Sequence, residues 1–311
     1  MAGPGILVLL LGLTALVGLV VLVVVAVAGV RAPAPPPSRA AQAARRHAAV
    51  VHALALAVLV LAVATGPTLV AALPASLVQG VLLGLVPAAA GVGFCAVQAV
   101  GEATWPRPSG TLRRAPLVRR TVADVAPRRL RRLTWAWAVV LVVTLVACGL
   151  VADGGRALTR QWDLGSASAS PFPGWFYGVP LLVAVAVVLV ASEGVLRLVA
   201  RRPVVSDADL PWDLALRRLS AHRALRGAQL VLAWTAAGVL LVAGMAMHGV
   251  GTEFAADGLT SRLLPVHHLG TAAMLLGAAV GVAGLVVALV PGRAVGEQAP
   301  VVAAGLDRMP A

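Results

Sequence analysis

The stretch GEATWPRPSGTLRRAPLVRRTVADVAPRRLRRL, residues 101–133, carries nine arginines against two acids, Glu102 and Asp124. Apolar segments too long for a soluble core lie on both sides of it. Arginine is held back from crossing a bilayer, and short cytoplasmic loops collect it. Read as an inner loop, this stretch sets the side on which every other segment ends.

The composition agrees. Hydrophobic residues make up 60% of the 311-residue chain and charged residues only 12%, against about 25% charged in soluble domains. Apolar runs of 18 residues or more place the chain among helical membrane proteins. The formal charge of +13 does not point to nucleic acid, because the basic residues fall between the apolar segments. Anionic lipid headgroups are their expected partners. All 25 basic residues are Arg, which with the Ala, Val, Leu and Gly usage reads as codon bias. Cys95 and Cys148 fall in different spans, roughly 13 Å apart along the membrane normal at the helical rise. A disulfide needs Cα atoms within about 7 Å, so two free buried thiols are expected.

The apolar segments predict seven transmembrane helices in one all-helical domain (1–311), at about 5–30, 48–65, 76–100, 134–152, 178–200, 228–250 and 268–290. The first run is too long for a signal-peptide core. It is read as an uncleaved helix with its N-terminus outside, although Ala26-Val27-Ala28 resembles a cleavage site. Between the first two spans, residues 31–47 hold a stiff Pro run, and Ser38 is placed to cap a short helix. Gly66-Pro67 and Pro74 break 48–100 into two crossings. The arrangement puts the C-terminus inside and leaves two Arg-rich inner loops, 101–133 and 201–227. The outer loop 153–177 holds Trp162, Phe172, Trp175, Phe176 and Tyr177, read as anchors at the headgroup level. Counted by side, 22 arginines fall on inner segments and three, Arg156, Arg160 and Arg262, on outer ones.

Two readings of the inner loops follow. Arg119-Arg120 is followed by Leu130-Arg131-Arg132-Leu133, and Arg201-Arg202 by Leu216-Arg217-Arg218-Leu219. That is either a duplicated unit, as transporters often show, or the common composition of arginine-biased loops. Residues 209–226 read as a helix lying on the inner membrane surface. Asp209 is placed as its cap, Asp213 and Arg217 pair at i,i+4, and Trp212, Leu216 and Leu219 share one side.

Few ionisable residues fall inside the spans, and each is a functional candidate by default. Glu193 in the fifth span, one turn from Arg197, is a possible coupling site or a simple Glu193–Arg197 pair. His52 reads as a packing residue. The outer constellation of His248, His267 and His268, with Met245, Met247 and Met274 near, is a weak candidate metal or haem site. No GxxxxGK[ST], HExxH, GxSxG or CxxC occurs, so no catalytic centre and no cofactor are expected. Gly80-x-x-x-Gly84 and Gly277-x-x-x-Gly281 permit close helix packing.

The run Gly101-Glu102-Ala103-Thr104-Trp105-Pro106-Arg107-Pro108-Ser109-Gly110, with residues 119–127 and Pro171-Phe172-Pro173-Gly174-Trp175, resembles the uncharacterised multi-pass membrane proteins of high-GC actinobacteria. The resemblance covers about 101–180. It implies a bacterial plasma membrane and transfers no activity. Three functions stay open: a structural, regulatory or complex-forming subunit with a membrane or cytoplasmic protein partner, a small transporter component using Glu193, and a metal- or haem-binding redox protein.

Overall fold

The computed structural model describes residues 38–105, 120–162, 165–206, 208–254, 260–262 and 264–289. The expected first span, 5–30, and most of the first arginine run lie outside the described residues. The chain forms helices α1 (Arg39–Ala71), α2 (Leu77–Ala103), α3 (Val122–Val125), α4 (Arg128–Val151), α5 (Trp175–Arg201), α6 (Leu210–Val250) and α7 (Leu264–Leu289). Two short antiparallel ribbons join them, β1 (Leu158–Trp162) with β2 (Gly165–Ala169), and β3 (Thr252–Phe254) with β4 (Thr260–Arg262). Six of these helices, all but α3, are long and apolar enough to cross a membrane.

Helix α6 is the axis of the bundle. In its most apolar window 67% of the residues are buried, against 17% to 33% in the other five. Its 41 residues span roughly 60 Å at 1.5 Å per residue, twice the ~30 Å of a hydrocarbon core. The surplus lies at the arginine end. That corrects the surface-helix reading of 209–226, because the segment continues unbroken into the span. The apolar side was read correctly but its partner was not. Leu216, Trp212 and Leu219 pack on Ala41, Ala44, Ala48 and Trp105, so protein rather than lipid covers them. Asp209 stands at the N-cap, yet its side chain makes no capping bond.

Other boundaries shift for the same reason: charged residues read as loop are helical where a neighbour covers them. Helix α1 begins at Arg39, capped as expected by Ser38, whose hydroxyl accepts from the Ala41 N–H at 3.1 Å. It runs through Gly66-Pro67 to Ala71. The arginine stretch is not a plain loop, since Arg128–Leu133 opens α4 and Thr121–Asp124 forms a helical turn. There Asp124 accepts from the Thr121 N–H and hydroxyl at 2.7 and 2.8 Å, which holds its carboxyl below the usual range. The outer loop 153–177 is a hairpin, and Phe172 is fully buried against Cys148, Ala243 and Ala246. Of the expected anchors, Trp175 and Phe176 remain exposed. Both cysteines are free and buried.

The seam between α6 and α7 is built from small residues. A Cβ on Gly270 would lie 2.5 Å from the His248 nitrogen, and one on Gly244 would lie 2.6 Å from the Gly270 carbonyl oxygen. At such approach, backbone polar groups of one helix come within reach of side chains on the other. Gln229 donates to the Gly284 carbonyl at 3.1 Å, and Trp234 to the Gly281 carbonyl at 3.3 Å. Gly80 and Gly84 bring α2 close to Tyr177 and Leu181 of α5, as their spacing allowed.

Candidate functional site

The densest set of charged side chains sits at the arginine end, where α2 and α5 stop and α6 begins. The last carbonyls of α5 lie against the second turn of α6. A helix end leaves its final carbonyls unpaired, and Arg217 meets them. Its Nη1 donates to the Val199 and Ala200 oxygens at 2.9 and 3.2 Å, and its Nη2 to those of Arg202 and Pro203 at 2.8 and 3.2 Å. Its Nε donates to Asp213 Oδ2 at 2.8 Å. All five guanidinium N–H groups are therefore engaged, and the cation sits on the negative end of the α5 dipole. Arg217 and Asp213 are 0% exposed.

Two further cations complete the network. Arg120 reaches the same Asp213 oxygen at 2.9 Å. Arg202 donates from Nη1 to Glu102 at 3.3 and 3.4 Å and to Ser220 at 3.3 Å, and its guanidinium lies 3.8 Å from the centre of the Trp105 ring. Burial lowers the pKa of Arg202 from its ordinary value, and Glu102 opposes that shift. Trp105 is held in turn by His47, edge-on at 5.4 Å, whose Nε2 bonds the Gly101 carbonyl at 2.9 Å. Asp213 lies 15 residues before the apolar span that starts at Ala228, roughly 22 Å along the helix. The network is buried in protein at the arginine end of α6; Arg217 is fully satisfied there, whereas Arg202 Nε and Nη2 and Asp213 Oδ1 have no hydrogen-bond partner among the described residues.

No protein-family model matches the chain, and neither a curated protein nor a solved structure is significantly similar to it.

The candidates named from the sequence are placed differently from what was expected. Glu193 does not pair with Arg197. It takes a two-pronged contact from Arg131 of α4, Nε to Oε1 at 2.8 Å and Nη2 to Oε2 at 3.1 Å. Arg197 points away, exposed, into a groove between α2 and α5. In both Leu-Arg-Arg-Leu runs the first arginine, Arg131 or Arg217, contacts α5, while the second, Arg132 or Arg218, is exposed. His52 bonds Gln98 at 3.2 Å and packs edge-on to Phe94, as a packing residue does.

His248, His267 and His268 do come together at the hairpin end, but as stacked rings. The His248 and His267 centroids are 3.8 Å apart at 37°, and His268 meets His267 edge-on at 5.8 Å. The nitrogen lone pairs of an imidazole lie in its ring plane, so stacked rings do not aim them at one point. His248 Nδ1 instead bonds the Thr271 hydroxyl at 3.2 Å. Met274 packs on Gly244 and Met247 on the Phe172 cluster. Among the described residues no three His, Cys, Asp or Glu side chains form a group able to hold a metal ion.

The sequence reading missed Glu102, Arg120, Arg202 and the burial of Asp213–Arg217. The available signal was scarcity. Acids are few on the arginine-rich segments, so each one is a node on which several arginines converge.

Glu193→Gln tests the remaining coupling candidate. The Arg131 side chain is 42% exposed and that of Glu193 17%, so solvent screens the pair from the Arg131 side and it contributes on the order of 1 kcal/mol. A small drop in melting temperature is expected, with proton flux in proteoliposomes unchanged. Flux abolished at unchanged stability would restore Glu193 as a coupling group.

Proposed function

We propose that this chain is a non-enzymatic, multi-pass subunit of a bacterial plasma membrane, with its arginine end in the cytoplasm, that holds or organises a membrane complex. The observation that carries this reading is how the charges are used. Arg217 commits every donor to the chain itself, and Glu193 is bound by Arg131. The middle of α6 is filled with Val231, Leu232, Ala233, Ala236 and Val239, all buried. These features suit a rigid element better than a transport path. The one-sided arginine distribution supports the orientation.

Two measurements test it. Ser168→Cys, exposed on the hairpin, is expected to react with a membrane-impermeant maleimide in intact cells, and Arg132→Cys only after permeabilisation. The reverse pattern overturns the orientation. Purification from native membranes in mild detergent is expected to bring down a protein partner in fixed stoichiometry. Recovery of the chain alone overturns the complex-forming role.

A further inference from the structure

Helices α2 and α5 enclose a groove of about 420 Å³, within the roughly 300–1,000 Å³ usual for ligand sites. Cys95 and Ala99 line it from α2, and Ala191, Gly194, Arg197 and Arg201 from α5. Its floor is open at Gly194, where an added Cβ would meet nothing within 4 Å. Its mouth carries Arg197 and Arg201, both exposed and one helical turn apart. The neighbouring acids are engaged elsewhere, Glu193 by Arg131 and Glu102 by Arg202. No acidic side chain among the described residues pairs with either groove arginine.

Arg201 and Ala191 are ten residues apart on α5, roughly 15 Å at the helical rise, so the groove is elongated along the helix. The charged mouth lies at the arginine end, and the small-residue slot runs from it toward the apolar part of α5. The occupant must be anionic at one end and apolar along its length. Residues 1–47 contain no acid, so the chain's own N-terminal segment does not complement the arginines.

We propose that this groove binds one anionic phospholipid, its phosphate on Arg197 and Arg201 and an acyl chain in the slot beside Gly194. The site would tie the arginine end of α5 to the acidic lipid of one leaflet.

The test uses the full-length protein in nanodiscs and native mass spectrometry, with dioleoyl phosphatidylglycerol as probe and dioleoyl phosphatidylcholine as its neutral counterpart. Wild type is expected to retain phosphatidylglycerol in preference. Each surface arginine contributes enough attraction that losing two lowers retention about 30-fold, so R197Q/R201Q is expected to show that drop. R128Q/R132Q removes two exposed arginines of the same spacing at the same end and is expected to leave retention unchanged. G194F fills the slot while keeping both arginines. It is expected to lose the lipid at an unchanged or higher melting temperature, which separates a blocked groove from misfolding. Equal losses in the two arginine pairs would make the effect a general surface attraction and overturn the site. Displacement of the lipid by glycerol 3-phosphate at equal concentration would overturn the acyl-chain slot. A lowered melting temperature in G194F with lipid retention unchanged would give the groove to another part of the chain and overturn the proposal.

Discussion

Arg217→Ala is expected to destabilise the protein by about 3–5 kcal/mol, the range for removing one partner of a buried ion pair. Asp213 would keep only Arg120, through a single oxygen, because its Oδ1 has no hydrogen-bond partner among the described residues. The Val199, Ala200, Arg202 and Pro203 carbonyls would lose their donor at the same time. Arg132→Ala is the control, since Arg132 follows the same motif but is exposed, and surface changes stay within about 0.5 kcal/mol. Thermal unfolding in detergent, followed by circular dichroism, measures both. Adding Asp213→Asn to Arg217→Ala is expected to recover part of the loss, because the uncompensated charge is then gone and neighbouring sites do not add. Equal stability of the two single variants would show that the network does not hold the arginine end.

Gly270→Leu is expected to detach α7 from α6, at a cost of about 3 kcal/mol, the upper part of the usual overpacking range. The atoms that a Cβ would strike, His248 N and Cα and the Gly244 carbonyl oxygen, belong to backbone and cannot rotate away. The helices must part, and the bonds from Gln229 and Trp234 to α7 carbonyls are lost with the contact. Gly238→Leu offers the contrast on α6 itself, because an added Cβ there meets nothing within 4 Å. That variant is expected to be neutral or more stable by up to about 1 kcal/mol, the helix-propensity gain over Gly. Limited proteolysis between α6 and α7, read beside the melting temperature, distinguishes the two. Faster cleavage only in Gly270→Leu supports the seam; identical behaviour of both variants refutes it.

Part of the candidate site was legible in residue spacing. Asp213 and Arg217 stand four apart, so their contact was readable, and it forms at 2.8 Å. Whether the pair faces water was not readable. That depends on the end of α5 arriving above it. The same holds for Glu193. Spacing offered Arg197 one turn away, but both side chains belong to one helix, and Arg131 approaches from another with both of its prongs aligned. A planar guanidinium meeting a carboxylate in two places outcompetes a single flexible contact along a helix. For the histidines, proximity was foreseen and orientation was not, because ring tilt is decided by how closely α6 and α7 pack.

What the sequence determined alone is where the chain is apolar for long enough to cross a bilayer, and that its arginines collect between those segments. Both follow from the transfer of single residues between water and lipid, a local property that needs no knowledge of neighbours. What only the tertiary structure decided is which of those arginines leave water. The partners of Arg217 and Arg202 lie between 4 and 100 residues away in the chain, and a guanidinium is buried only where carbonyls and carboxylates from other segments converge on it.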